Sequence, residues 1–203
     1  MVRLGVLISG GGRTLQNFIE QIDRGELPAR IAVVISSLSK VKGVERARAA
    51  GLPVEIIRVK DHPDVDEFSR RIVETLERYG VELACLAGWT CYWRIPPHWL
   101  GRVMNIHPAL LPKFGGKGFY GHHVHEAVLA AGETESGCTV HFANNEYDAG
   151  PIILQRKVPV LPGDTPETLA DRVFEQERIA YPDAIRLYAA GRLRFEGGTV
   201  RVR

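Results

Sequence analysis

Val2-Arg3-Leu4-Gly5-Val6-Leu7-Ile8-Ser9-Gly10-Gly11-Gly12-Arg13-Thr14 is the stretch on which the reading of the fold turns. Its opening run is nearly continuous in apolar side chains, the pattern of a strand covered on both faces. Ser9 to Gly12 break that run, and a helical pattern follows from about Thr14 to Ile22. Strand, glycine loop, helix is a layout that turns backbone N–H groups and the positive end of a helix toward an anion. The loop is not a Walker motif, because no Gly-Lys-Ser or Gly-Lys-Thr follows it. It is not the dinucleotide fingerprint either, because Leu15 stands where the third glycine would be. The chemistry it predicts is a phosphate carried by a smaller ligand.

The same alternation continues outward. Residues 31–36, 54–59 and 83–87 read as further buried strands. Helices fall between them, over 44–50 and from a cap at Asp64 or Asp66 to about Tyr79, with Phe68, Ile72, Val73 and Leu76 at helical spacing. Alternation of this kind implies a parallel, doubly wound sheet. The C-terminal part reads differently. Residues 138–142 and 152–160 are strands joined by a short turn-rich loop, so they pair antiparallel. Asp164-Thr165-Pro166-Glu167 is a helix start, and that helix runs past Glu177 toward Tyr188 with a bend expected at Pro182. Its apolar stripe is Leu169, Val173, Ala180 and Ala184, interrupted by Glu177. A carboxylate on a buried stripe needs a partner or a ligand. Residues 192–203, with Gly197-Gly198 at the centre, read as a hairpin. The fold class is therefore α/β: a mostly parallel doubly wound sheet, Rossmann-like in its N-terminal half, with an antiparallel strand pair in the C-terminal part, all in one domain, 1–203.

Composition bounds the function. The 203 residues are 45% hydrophobic and 25% charged, the balance of a globular protein. A net charge of +2 does not point to a nucleic-acid partner. No apolar run approaches the ~20 residues that span a bilayer. Cys85, Cys91 and Cys138 match no paired metal spacing, and with no leader pattern at the N-terminus they fit a cytoplasmic protein with reduced cysteines. His122, His123 and His125 invite a zinc reading, but their spacing fits no i,i+4 pair, so no metal is expected.

The chemistry concentrates at Asn105-Ile106-His107-Pro108, at the end of a short apolar run. An amide and an imidazole two residues apart on a strand share one side of the pleat. The amide can donate to a developing oxyanion, and the imidazole can donate or take a proton near neutral pH. The next segment, 113–123, contains Gly115, Gly116, Gly118 and Gly121, and reads as a mobile loop beside the site, able to close over a ligand.

Several motifs together resemble a known family. They are Ser9-Gly10-Gly11-Gly12 with Leu15-Gln16, Leu86-Ala87-Gly88, Asn105-Ile106-His107-Pro108 with Leu110-Leu111-Pro112, Gly137-Cys138-Thr139-Val140-His141-Phe142, and Asp148-Ala149-Gly150-Pro151-Ile152-Ile153-Leu154-Gln155. With Glu175-Gln176-Glu177 ahead of Tyr181-Pro182, the chain resembles the phosphoribosylglycinamide formyltransferases over nearly its whole length. The resemblance implies transfer of a formyl group from 10-formyltetrahydrofolate, as co-substrate, to the amine of phosphoribosylglycinamide in purine biosynthesis. It implies a catalytic set of Asn105, His107 and Asp148, and the chemistry of these residues would let Asp148 hold His107 in its charged form. It implies ribonucleotide binding by Gly12, Arg13, Thr14 and Glu177, and folate binding by Trp93, Arg94, Ile95, Asn105, Ala143 and Asn144. The expected partners are small-molecule substrates only, with neither nucleic acid nor membrane, and the expected state is a monomer or homodimer. The chain departs from the family's usual pattern at Trp89-Thr90-Cys91-Tyr92-Trp93, in the length of the segment from there to Asn105, and in the long 115–122 loop. The nearest alternative acceptor is the amine of a nucleotide sugar.

Overall fold

A computed structural model describes residues 1–203. Its principal sheet has seven strands in the order β3-β2-β1-β4-β5-β6-β7. The chain divides into two compact units, Met1–Met104 and Asn105–Arg203.

In the first unit, β1 (Val2–Ile8) pairs in parallel with both β2 (Ala29–Ser36) and β4 (Leu83–Leu86), and β2 pairs in parallel with β3 (Val54–Ile56). Leu4, Val6, Leu7 and Ile8 are fully buried, as a strand with two covered faces requires. The helices α1 (Arg13–Asp23), α2 (Lys42–Ala49) and α3 (Val65–Arg78) connect these strands. Between the two expected caps of α3, Asp64 takes the role, accepting from the N–H of Glu67. Phe68, Ile72 and Leu76 face the core from that helix. The expected strand over 54–59 is shorter. After Ile56 the chain turns into a single 3-10 turn, Val59–Asp61, where the Arg58 guanidinium pairs with the Asp61 carboxylate and the Asp61 N–H donates to the Arg58 carbonyl. That turn takes the chain out of the sheet.

β5 (Val103–His107) leads into the second unit. There β6 (Glu135–Phe142) and β7 (Ile152–Pro159) pair antiparallel, with Thr139 opposite Gln155 and Cys138 opposite Arg156. β6 begins three residues earlier than its apolar run, because Glu135 to Gly137 find ladder partners in Lys157 to Pro159. α4 (His122–Ala130) and α5 (Pro166–Ala189) complete the unit. Leu169, Val173, Ala180 and Ala184 are buried on α5, whose helix runs on through Pro182. The terminal hairpin forms as expected from β8 (Leu193–Glu196) and β9 (Thr199–Val202), and Phe195 sets its ring edge-on to Phe142 at 5.6 Å. No helix is long and apolar enough to cross a membrane.

The start of α5 is fixed by a reciprocal cap: Thr165 Oγ1 accepts from the N–H of Thr168, and the Thr168 hydroxyl accepts from the N–H of Thr165. Thr165→Ala removes one arm and leaves the Thr168 N–H without its acceptor. A loss of about 1 kcal/mol in urea-unfolding free energy is expected, read as a lower midpoint at unchanged slope.

Candidate active site

Asn105 and His107 end β5 on the same side of the pleat, and the second unit gathers a polar cluster around them. Asp148 reaches it from the β6–β7 loop. The Asn105 amide Nδ2 donates to Asp148 Oδ1 at 3.3 Å and lies 3.1 Å from His141 Nε2. His107 Nδ1 is 3.5 Å from Asp148 Oδ2, and the Gly116 N–H donates to that same oxygen at 2.9 Å. The second nitrogen of His107, Nε2, is 2.7 Å from the Phe114 carbonyl. A carbonyl only accepts, so Nε2 carries the proton. His141 is oriented likewise: Nδ1 lies 3.0 Å from the Phe142 carbonyl and donates to it, which leaves Nε2 to accept from Asn105.

The electrostatics correct one expectation. Burial lowers the pKa of His107 below the ordinary histidine value; Asp148 and the Phe114 carbonyl pull upward, His141 pushes down again, and the net shift is downward. Asp148 therefore does not keep His107 charged in the resting protein. The desolvation of a side chain only 4% exposed outweighs the carboxylate. Burial pushes the Asp148 carboxyl up, but the nearby His141 and His107 rings and the Gly116 N–H outweigh it, and its pKa lies below the ordinary value. The cluster is thus an ionised carboxylate beside a neutral imidazole whose N–H is already aimed at an oxygen.

Two backbone residues around this cluster hold positive φ without being glycine, Phe114 at 55° and Asp148 at 54°. The left-handed region costs such residues roughly 1–2 kcal/mol each, and the cost falls on the residue that accepts from His107 and the residue that faces it. A second network fixes the chain between His107 and Phe114. Thr139 Oγ1 donates to the Ala109 carbonyl at 2.7 Å and accepts from the Leu111 N–H at 3.0 Å. Gln155 Nε2 then donates to the Leu111 carbonyl and to Thr139 Oγ1, both at 2.9 Å.

The remaining residues singled out in the sequence divide between the units. In the second, Ala143 is buried, and Asn144 Oδ1 accepts from the Glu146 N–H, closing the loop that carries Asp148. Glu177 is half-buried on α5 near β6: burial, then the Glu177 charge, push the Cys138 thiol up to about 12. In the first unit, Gly12 is the left-handed N-cap of α1, followed by Arg13 and Thr14 in its first turn. Trp93 and Ile95 are buried, with Trp93 packed at an angle to Trp99. Arg94 is exposed and ion-paired with Asp66, and its N–H donates to Ser69 Oγ. Trp89 stacks on Phe68. The three close histidines diverge: His125 is buried, whereas His122 and His123 are exposed and His123 pairs with Glu126. No group of three or more His, Cys, Asp or Glu is arranged to hold a metal ion.

Sequence reasoning did not assign His141 or the Phe114 and Gly116 backbone to the site. For His141 a signal existed: on β6 it alternates with Thr139, and both sit on a strand next to a turn-rich loop. For the two loop residues none did, because a carbonyl or an N–H belongs to every residue.

The formyl transferase family profile matches residues 2–185, nearly the whole chain. The chain belongs to the formyl transferase family. A phosphoribosylglycinamide formyltransferase from Haemophilus influenzae is 38% identical, covering 97% of this chain and 91% of its own length. The crystal structure of glycinamide ribonucleotide transformylase 1 from Symbiobacterium toebii superposes with a TM-score of 0.92 at 44% identity, over 100% of this chain and 94% of that one. Within the family, then, the chain belongs with the phosphoribosylglycinamide formyltransferases. It is also 45% identical to the trifunctional purine biosynthetic protein adenosine-3 of Drosophila pseudoobscura pseudoobscura, over 95% of this chain but only 14% of that much longer relative.

His125 supplies a pH prediction for this unit. Burial, then the neighbouring His122 and His107, lower its pKa from 6.5 to about 4, and its Nδ1 has no hydrogen-bond partner in the structure. A histidine with a lowered native pKa contributes fully above its unfolded value, and that contribution is lost as pH falls. Stability should therefore decline between about pH 6.5 and about pH 4, by up to about 1.4 kcal/mol per unit from this residue. Urea denaturation across that range should show a shallower decline in His125→Asn than in the parent. Identical slopes would remove His125 as the cause.

Proposed function

We propose that this chain transfers the formyl group of 10-formyltetrahydrofolate to the amine of phosphoribosylglycinamide, a step of purine biosynthesis in the cytoplasm, with 1–203 acting as one formyltransferase domain. The observation that carries the reading is the convergence of Asn105, His107 and Asp148 in a chain of this family.

The substrate amine attacks the formyl carbon, and the carbonyl oxygen becomes an oxyanion in a tetrahedral intermediate. Asn105 Nδ2, on giving up one of its two resting contacts with His141 and Asp148, and His107 Nε2 are the donors for that oxygen. Each comparable donor contributes roughly 2.7–4 kcal/mol. His107 can do this uncharged, because its Nε2 already bears the proton that the Phe114 carbonyl accepts. The ammonium formed on attack must lose a proton, and the folate nitrogen must gain one before it leaves. Asp148, ionised near neutral pH, orients the water that relays it. The formyl group sits on an aryl amine and is already activated, so the reaction needs no Lewis acid. The second substrate is held by its phosphate at Gly12, Arg13 and Thr14 and by its glycinamide at Glu177. The folate is held by the segment 93–95 and by Asn105, Ala143 and Asn144. With Trp93 and Ile95 buried, Arg94 and the backbone are what the first of these segments offers a ligand.

The purified chain should formylate glycinamide ribonucleotide from 10-formyltetrahydrofolate at a rate unaffected by a chelator. No turnover on this pair, with full turnover on a nucleotide-sugar amine, would reassign the acceptor. Asp148→Asn keeps the shape and removes the charge. It should lower kcat by a factor of about 10² or more while changing the KM for folate far less. A kcat near that of the parent across pH 6–9 would count against the role given to Asp148.

A further inference from the structure

A carbonyl oxygen repels an anion, so a loop that binds phosphate through backbone N–H groups has to keep its carbonyls turned away. Three successive carbonyls of the glycine loop are each tied to a partner. The Gly10 carbonyl accepts from the Gly43 N–H at 3.0 Å, and the Gly12 carbonyl accepts from the Gln16 N–H at 2.9 Å. The Gly11 carbonyl, which no backbone group reaches, accepts from Arg46 Nε at 3.1 Å. The N–H groups of Gly10, Gly11 and Gly12 donate to no group of the protein. The loop is therefore polarised, with its acceptors bound on one side and its donors unspent.

Two of the three carbonyls are held by α2, which contacts the loop backbone to backbone. Gly12 has φ 69°, and a Cβ there would lie 2.7 Å from Gly43 Cα. A Cβ on Gly43 would lie 2.8 Å from the Gly10 carbonyl oxygen and 2.6 Å from Ile8 Cδ1. Only glycine at both positions permits this approach. Arg46, one turn along α2, spans the same contact: Nε holds Gly11, and Nη1 donates to Gln16 Oε1 on α1 at 3.1 Å. Ser9 anchors the other side, its hydroxyl oxygen accepting from the Thr90 N–H at 3.0 Å and from Ser37 Oγ at 2.7 Å.

We infer that Arg46 is a positioning residue for the ribonucleotide phosphate: its guanidinium fixes the Gly11 carbonyl away from the anion and sets a permanent positive charge behind the loop. The inference rests on the reading of this loop as the phosphate site. Lysine at the same place keeps the charge and one donor but cannot bridge Gly11 and Gln16 with the same planar group.

The test is steady-state kinetics of Arg46→Met, Arg46→Lys and Gly12→Val on glycinamide ribonucleotide, with the dephosphorylated riboside as second substrate and inorganic phosphate as competing anion. Arg46→Met should raise the KM for the ribonucleotide roughly tenfold, the scale of one lost charge-assisted hydrogen bond, and weaken phosphate inhibition equally. The kcat, the folate KM and turnover of the riboside should stay within about twofold. Arg46→Lys should recover part of the loss. An unchanged ribonucleotide KM in both Arg46 variants, with a raised KM in Gly12→Val, overturns the role of Arg46 and leaves the loop's. An unchanged KM in all three overturns the phosphate reading of the loop itself. Equal losses on riboside and ribonucleotide in Arg46→Met mean that the residue only maintains the fold, and also overturn the inference. If Arg46→Met does not fold, Arg46→Lys decides alone by the same comparison.

Discussion

A carboxylate that is 12% exposed and still ionised is the constraint on which the second unit depends. Taking a charge out of water costs far more than one hydrogen bond returns, so such a group persists only when several donors converge on it. Asp148 accepts from the Gly116 N–H and the Asn105 amide, and two imidazole rings pack against it at 3.5 and 3.7 Å. These groups come from three pieces of chain: the end of β5, the loop after it, and β6. The register of β6 against β7, the Thr139–Gln155 network and the left-handed turn at Phe114 all serve to bring those pieces to one oxygen pair. Burial leaves His107 neutral, because the ring is buried more deeply than the acid and the carboxylate does not make up for it.

That neutral state matters for catalysis. An imidazole that had to be charged to donate would lose its function as pH rose through its pKa. An imidazole whose proton is already fixed on Nε2 by a carbonyl acceptor is a donor throughout the neutral range. The Phe114 carbonyl occupies that N–H in the resting protein, so a developing oxyanion competes with a neutral oxygen for the same hydrogen. A full negative charge wins such a competition, since charge-assisted hydrogen bonds are roughly twice as strong as neutral ones. Discrimination between ground state and transition state is thereby built into the resting contact.

Much of this was legible in the chain, for reasons that differ by residue. β1 and its glycine loop were legible because an unbroken apolar run ending in three glycines is compatible with few structures besides a buried strand and a tight turn. Asn105 and His107 were legible because strand period places i and i+2 on one side. The cap of α5 was legible from Asp164-Thr165-Pro166. What stayed hidden depended on three-dimensional closeness without a side-chain signature: the Phe114 carbonyl, the Gly116 N–H, and Arg46 reaching Gly11 from another helix. The charge of His107 was misread for a related reason. A nearby acid can be guessed from a motif, whereas the depth of burial that opposes it is a property of the packed structure. β3 ended early because the chain enters the Val59–Asp61 turn, which apolar content alone does not register.

The order of the principal sheet leaves two strands with an unpaired edge, β3 and β7. An open edge is a template for another copy's strand, and proteins that leave one long and apolar assemble into aggregates. Here one edge is three residues long, too short to recruit a partner ladder. The other, Ile152–Pro159, opens on three apolar residues but carries two cations, Arg156 and Lys157, in its second half and ends on a residue that has no N–H to offer. Arg156 is held in place by Asp183, and Lys157 by Glu135, so the charges stay on the rim. The ends of the sheet thus guard against self-association during folding, when the strands that build the site are still seeking their neighbours.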